Sequence, residues 1–167
     1  MNSNYLALAG RIRQTLADVE RVVARADKLM QQALRSGDDG YWDGVALNLH
    51  GFYGGLERIF EDIARTVERS IPSGSNWHQD LLLQISADVP QVRPAVIRTA
   101  TRHCLDEYRS FRHIVRNVYT FNFKWGRLQE LVKELRPCYD DVTADLTQFI
   151  DFLEALSSSM DNQAKQT

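Results

Sequence analysis

The sequence predicts an all-α fold, an antiparallel four-helix bundle with one extra short helix, on three observations. Apolar residues recur three and four apart over long stretches, which places them on one face of a helix. No stretch shows the strict alternation of a half-buried strand. The interruptions are few and carry turn chemistry: Ser36-Gly-Asp-Asp-Gly40, Ser70-Ile-Pro-Ser-Gly-Ser-Asn76 and Val89-Pro-Gln-Val-Arg-Pro94. Brief connections of this kind join antiparallel neighbours in a bundle.

The first helix is expected over Asn4 to Arg35, with Ile12, Leu16, Val19, Val23, Ala26 and Met30 on its inner face. Asp38 or Asp39 is placed to cap the second helix, expected from Tyr41 to Arg69 with Leu49, Phe52, Leu56, Ile59, Ile63 and Val67 inward. Gly44, Gly51, Gly54 and Gly55 weaken that helix by about 1 kcal/mol each relative to alanine. Such a cost points to a close helix crossing, within the chain or across a dimer. Glu57 and Glu61 are one turn apart without a Glu-x-x-His partner and read as solvated carboxylates. Asn76 and Gln79 form a candidate capping pair for a short third helix, Trp77 to about Ala87. Pro94 suits the first turn of the fourth helix. The fifth is expected from Trp125 to about Ser157, bent or interrupted at Pro137, which lacks the amide that a helix interior uses. Residues 1–158 then form one domain, and 159–167 read as a disordered polar tail.

The length of 167 residues can bury a core without disulfides. Cys104 and Cys138 fall at apolar positions and read as buried reduced thiols. The four histidines, at 50, 78, 103 and 113, lack the i, i+3 or i, i+4 pairing of a metal site, so no metal or cofactor is expected. With no apolar run of membrane-spanning length and no signal-peptide pattern at Met1, the chain reads as cytoplasmic. The net charge of −2 argues against general coating of nucleic acid. The charge is uneven, however: Arg93 to Arg127 holds eight cations and two anions (+6), and Leu128 to the end eight anions and three cations (−5).

The centre of that basic region is Tyr108 to Tyr119. Cys104, Tyr108, Phe111, Val115 and Val118 share one side of the helix, while Arg109, Arg112, His113 and Arg116 lie opposite, with Asn117 and Tyr119 on the shoulders. Like charges at helical spacing repel by a few tenths of a kcal/mol per pair, so either an anion lies there or nearby carboxylates neutralise the face. Every cation is arginine, whose planar fork suits phosphate.

This stretch resembles the signature of HEPN domains, in particular HepT-like toxins of HEPN–MNT toxin–antitoxin modules. Arg112 matches the motif arginine, His113 its polar neighbour and Tyr119 its tyrosine; Asn117 stands where the family usually has a catalytic histidine. The resemblance implies a HEPN-like bundle that pairs as a homodimer around a cleft. There, RNA would be cut without metal by 2′-hydroxyl attack, using Arg112, His113, Asn117 and Tyr119, with Arg109, Arg112 and Arg116 holding RNA. It further implies an MNT-type nucleotidyltransferase partner that silences the toxin by adding AMP to Tyr119. Asparagine cannot shuttle protons, so a silent protein that binds RNA, a nucleotide or its partner is the alternative. A purely structural subunit is the third, and leaves the clustered arginines unexplained.

Overall fold

Each apolar stripe read from the sequence forms a helix in the computed structural model. The model describes residues 2–117 and 124–164, leaving aside the side chains of Asn2, Arg116, Asn117, Asp161, Gln163 and Ala164. Helix α1 is Asn2–Ser36, α2 Gly40–Ile63, α3 Trp77–Ile85, α4 Thr99–Asn117 and α5 Trp125–Ala164. The all-α bundle predicted above is therefore what is seen. One core is shared by all five helices and includes Ile12, Val23, Leu49, Phe52, Leu56, Leu82, Tyr108, Val142 and Leu146.

Gly37, at φ +69°, turns the chain out of α1, its amide donating to Ala33 O at 3.0 Å. Glycine suits this left-handed position because it has no Cβ to clash. Asp38 Oδ1 then accepts from the Gly40 amide at 2.9 Å, so Asp38 rather than Asp39 serves the start of α2. Antiparallel packing of α1 on α2 follows from their partners: Arg11 meets Asp62, Val19 faces Gly55 and Leu29 faces Gly44. A Cβ on Gly55 would lie 2.8 Å from Val19 Cγ2, and one on Gly44 2.9 Å from Leu29 Cδ1, whereas Gly51 and Gly54 have room. The close crossing is thus within the chain, and two of the four glycines make it. On its other flank, α1 meets α5 through Arg13–Glu154 and Glu20–Arg136 pairs, both at 2.7 Å, and a bond from Tyr139 Oη to Leu16 O.

Several boundaries differ from expectation. The second helix widens into a π-helical turn, Ala64–Glu68, and ends on Arg69 at φ +56°. Asn76 makes no side-chain cap; its carbonyl accepts from Asp80 instead. Pro94 does not open α4, which begins at Thr99. The cap comes from α5: Asp145 accepts from the Arg98 amide at 3.0 Å and from Thr101 Oγ1 at 2.6 Å. A carboxylate at a helix N-terminus satisfies orphan amides and interacts favourably with the positive end of the helix dipole. The preceding loop is fixed by Arg93, whose guanidinium is fully buried. It donates to Glu68 at 2.7 Å and to the carbonyls of Gln84, Ala87 and Pro94. Helix α5 runs unbroken through Pro137 and on to Ala164, so residues 159–164, expected as tail, are helical.

Cys104 and Cys138 form a disulfide between α4 and α5, with Cα atoms 5.9 Å apart. The reduced-thiol reading is corrected: antiparallel packing of these two helices brings the side chains together across 34 residues of sequence. Nothing in the linear pattern shows that pairing. No helix among the described residues is long and apolar enough to cross a membrane.

Candidate functional site

Three helices converge on a cavity of 260 Å³. From α2 comes Tyr53; from α3 and the turn before it come Ser75, Asn76, His78 and Gln79; from α4 come Arg109, Arg112 and His113. The α4 residues share a face because they are three and four apart. The loop held by Arg93 carries the chain from α3 into α4, and α3 packs against both α2 and α4.

Beneath this cavity lies Glu57, read from sequence as solvated. Its side chain is only 3% exposed. One carboxylate oxygen accepts from Arg112 Nη1 and the other from His78 Nδ1, the latter at 2.7 Å. A carboxylate buried without partners would be very costly, and buried charges persist only when paired and hydrogen-bonded. Glu57 therefore depends on both partners, and they in turn are held by it. The Trp77 ring lies against the His78 ring, tilted by 30° with centroids 3.7 Å apart. The Tyr53 phenol is pushed well above its ordinary pKa, first by burial and then by the Glu57 charge, with Arg109 and Arg112 opposing. It is a neutral hydrogen-bonding group at the cavity wall.

The arginine face is not bare. Arg109 pairs with Asp106 at 2.7 Å, and its side chain, like that of Arg112, is 21% exposed. Along the same segment Arg93 pairs with Glu68, Arg98 with Asp145 and Arg127 with Glu107. Three carboxylates remote in sequence, Glu57 on α2, Glu68 in the turn after it and Asp145 on α5, pair with three of the cations counted along Arg93 to Arg127. A larger cavity, 540 Å³, lies between α4 and α5, but Glu107, Glu130, Glu134 and Asp141 line it and would repel a polyanion. The smaller one suits phosphate better.

Of the residues expected at the site, Arg109, Arg112 and His113 meet at one cavity. Arg116 and Asn117 lie in the last turn of α4, their side chains undescribed, and Tyr119 lies outside the described residues. The sequence reading missed Glu57, His78 and Tyr53. One signal was available: Glu57 follows Tyr53 by four and precedes Phe60 by three, so it sits on a buried stripe beside the main one. His78 carried no such mark, since its partner lies 21 residues away on another helix.

The architecture and the cavity define a helical bundle that presents paired arginines and imidazoles to a small polar cleft. The chain belongs to the HepT-like proteins, a HEPN-type family, whose model, described as HepT-like protein, matches residues 44–153. That match covers the whole cavity, from Tyr53 to His113. No curated protein and no solved structure matches the chain.

Proposed function

We propose that the chain is a metal-independent endoribonuclease of a toxin–antitoxin module and that the cavity between α2, α3 and α4 is its active site. The observation that carries this reading is the convergence of Arg109, Arg112 and His113 with His78 on one cavity. In the reaction, the ribose 2′-hydroxyl loses its proton and its oxygen bonds to the adjacent phosphorus. The bond from phosphorus to the 5′ oxygen breaks, that oxygen takes a proton, and a 2′,3′-cyclic phosphate and a 5′-hydroxyl remain. Arg112 offsets charge growing on the phosphoryl oxygens. Glu57 engages Nη1 of a group that has five N–H donors, so the ion pair is compatible with phosphate contact. Arg109 and Arg116 hold flanking phosphates, Asn117 hydrogen-bonds the substrate, and His113 serves acid–base chemistry.

The proposal includes a homodimer. Ile114, beside His113 and 48% exposed, is apolar surface that a second copy would cover. It also includes an MNT-type nucleotidyltransferase partner that silences the toxin by adding AMP to Tyr119. Phosphate added there would neutralise the arginines and obstruct RNA.

The test is incubation of purified protein with single-stranded RNA in excess chelator. The reading expects fragments ending in 2′,3′-cyclic phosphate, identified by mass spectrometry. A silent RNA-binding protein is the second reading, favoured by Asn117 in the histidine position and by the hold of Glu57 on Arg112. Saturable RNA binding by fluorescence anisotropy, with the RNA recovered intact, would select it.

A further inference from the structure

Asn117 leaves the α4 motif without its usual imidazole, yet another imidazole faces the same cavity from α3. We propose that His78 is the general base of this site, oriented by Glu57, an assignment that rests on the ribonuclease reading above. The argument begins with tautomer. Glu57 pairs with Arg112, so its carboxylate is an acceptor, and His78 Nδ1 at 2.7 Å from Oε2 is the donor. In neutral imidazole a protonated Nδ1 leaves Nε2 unprotonated and able to accept. A base held in one tautomer by a third group is the arrangement that activates an oxygen nucleophile.

Position supports the same assignment. The two oxygens of one carboxylate bind His78 and Arg112, which fixes the imidazole relative to the guanidinium. A phosphate bound by Arg112 therefore lies beside His78, whose side chain is 28% exposed and lines the cavity. The Trp77 ring restricts rotation of the imidazole. In the step, Nε2 takes the 2′-hydroxyl proton as the oxygen–phosphorus bond forms and the bond to the 5′ oxygen breaks. His113, on the same cavity, protonates the departing oxygen, and solvent then carries the proton of the His78 imidazolium back to His113.

His78→Ala would strand the buried Glu57, so the test uses His78→Asn, whose amide N–H can still serve Glu57. His78→Asn, Arg112→Gln, His103→Asn and the parent are compared on single-stranded RNA in chelator, with melting curves for each. The expected result is a rate at least about a hundredfold lower in His78→Asn, with RNA affinity retained, the fold intact and His103→Asn at the parental rate. Added imidazole should restore part of the His78→Asn rate and none of the Arg112→Gln rate. A His78→Asn protein that cuts like the parent overturns the assignment and leaves the ribonuclease reading standing. A slow variant with weakened affinity and no imidazole rescue also overturns it, because His78 would then only position other groups. A parent that leaves RNA intact overturns both.

Discussion

Replacing Glu57 with glutamine separates the buried carboxylate from the solvated one that its sequence context implies. The side chain is 3% exposed and receives charge-assisted bonds from Arg112 and His78. Each such bond contributes about 1.5–3 kcal/mol. Glutamine keeps one acceptor, for one partner, and turns an NH₂ donor toward the other. Breaking a buried pair costs about 3–5 kcal/mol. Arg112 and His78 are 21% and 28% exposed and can swing toward water, which places this case at the lower end. A loss of about 3 kcal/mol lowers the midpoint of a domain this size by about 6–12 °C. Thermal melts followed by circular dichroism measure it, with urea titration as a second probe. A double variant, Glu57→Gln with Arg112→Gln, should be less unstable than the sum of the single changes, because the two side chains share one interaction. A Glu57→Gln midpoint within about 1–2 °C of the parent, the range of an ordinary surface substitution, would refute the reasoning.

Other substitutions probe the framework. Gly55→Ala should destabilise by about 1–2 kcal/mol in urea titrations, because its Cβ meets the stiff, β-branched Val19 at 2.8 Å. Gly54→Ala, with open space, should instead gain up to about 1 kcal/mol from helix propensity. Arg93→Met should lose about 3 kcal/mol, read as a lower denaturant midpoint, because buried Glu68 loses its guanidinium and keeps only the Gln84 side-chain amide, while the Ala87 and Pro94 carbonyls lose the donor that Arg93 gave them. Alkylation of the native protein should label neither Cys104 nor Cys138 until a reductant is added. The bridge closes 34 residues of sequence, so reduction should cost about 3.8 kcal/mol by chain entropy. Labelling of both thiols without reductant would contradict the bridge.

The helices were legible because burial along one helix follows a local period. The stripes of α1 and α2 recur in the core, and the glycines of α2 announce a crossing that Gly44 and Gly55 make. What could not be read locally depends on residues far apart in sequence. Arg112 and Glu57 are 55 residues apart, and Arg98 and Asp145 are 47. A charge count along Arg93 to Arg127 includes Asp106 and Glu107 but not Glu57, Glu68 and Asp145, which fold onto its arginines from elsewhere. The α4 start was misplaced for the same reason, since its cap is supplied by α5. The candidate cavity was half legible. Arg109, Arg112 and His113 share a helix and declared themselves by spacing, whereas Glu57 and His78 arrive on other helices. Arg98 lies outside the basic cluster but would be a poor control, because its partner Asp145 caps the start of α4.

The most direct test of the account is the rate at which the purified chain cuts single-stranded RNA in chelator, measured beside Arg112→Gln and Arg102→Gln. Arg102 lies on α4 outside the site cavity and donates to Ser86 at 3.2 Å, which makes it the better control. The account predicts cleavage by the parent and by Arg102→Gln. It predicts a fall of about ten- to a hundredfold in Arg112→Gln, the loss of one hydrogen bond to a charged phosphate. Equal cleavage by all three folded proteins, or none by the parent, would contradict it.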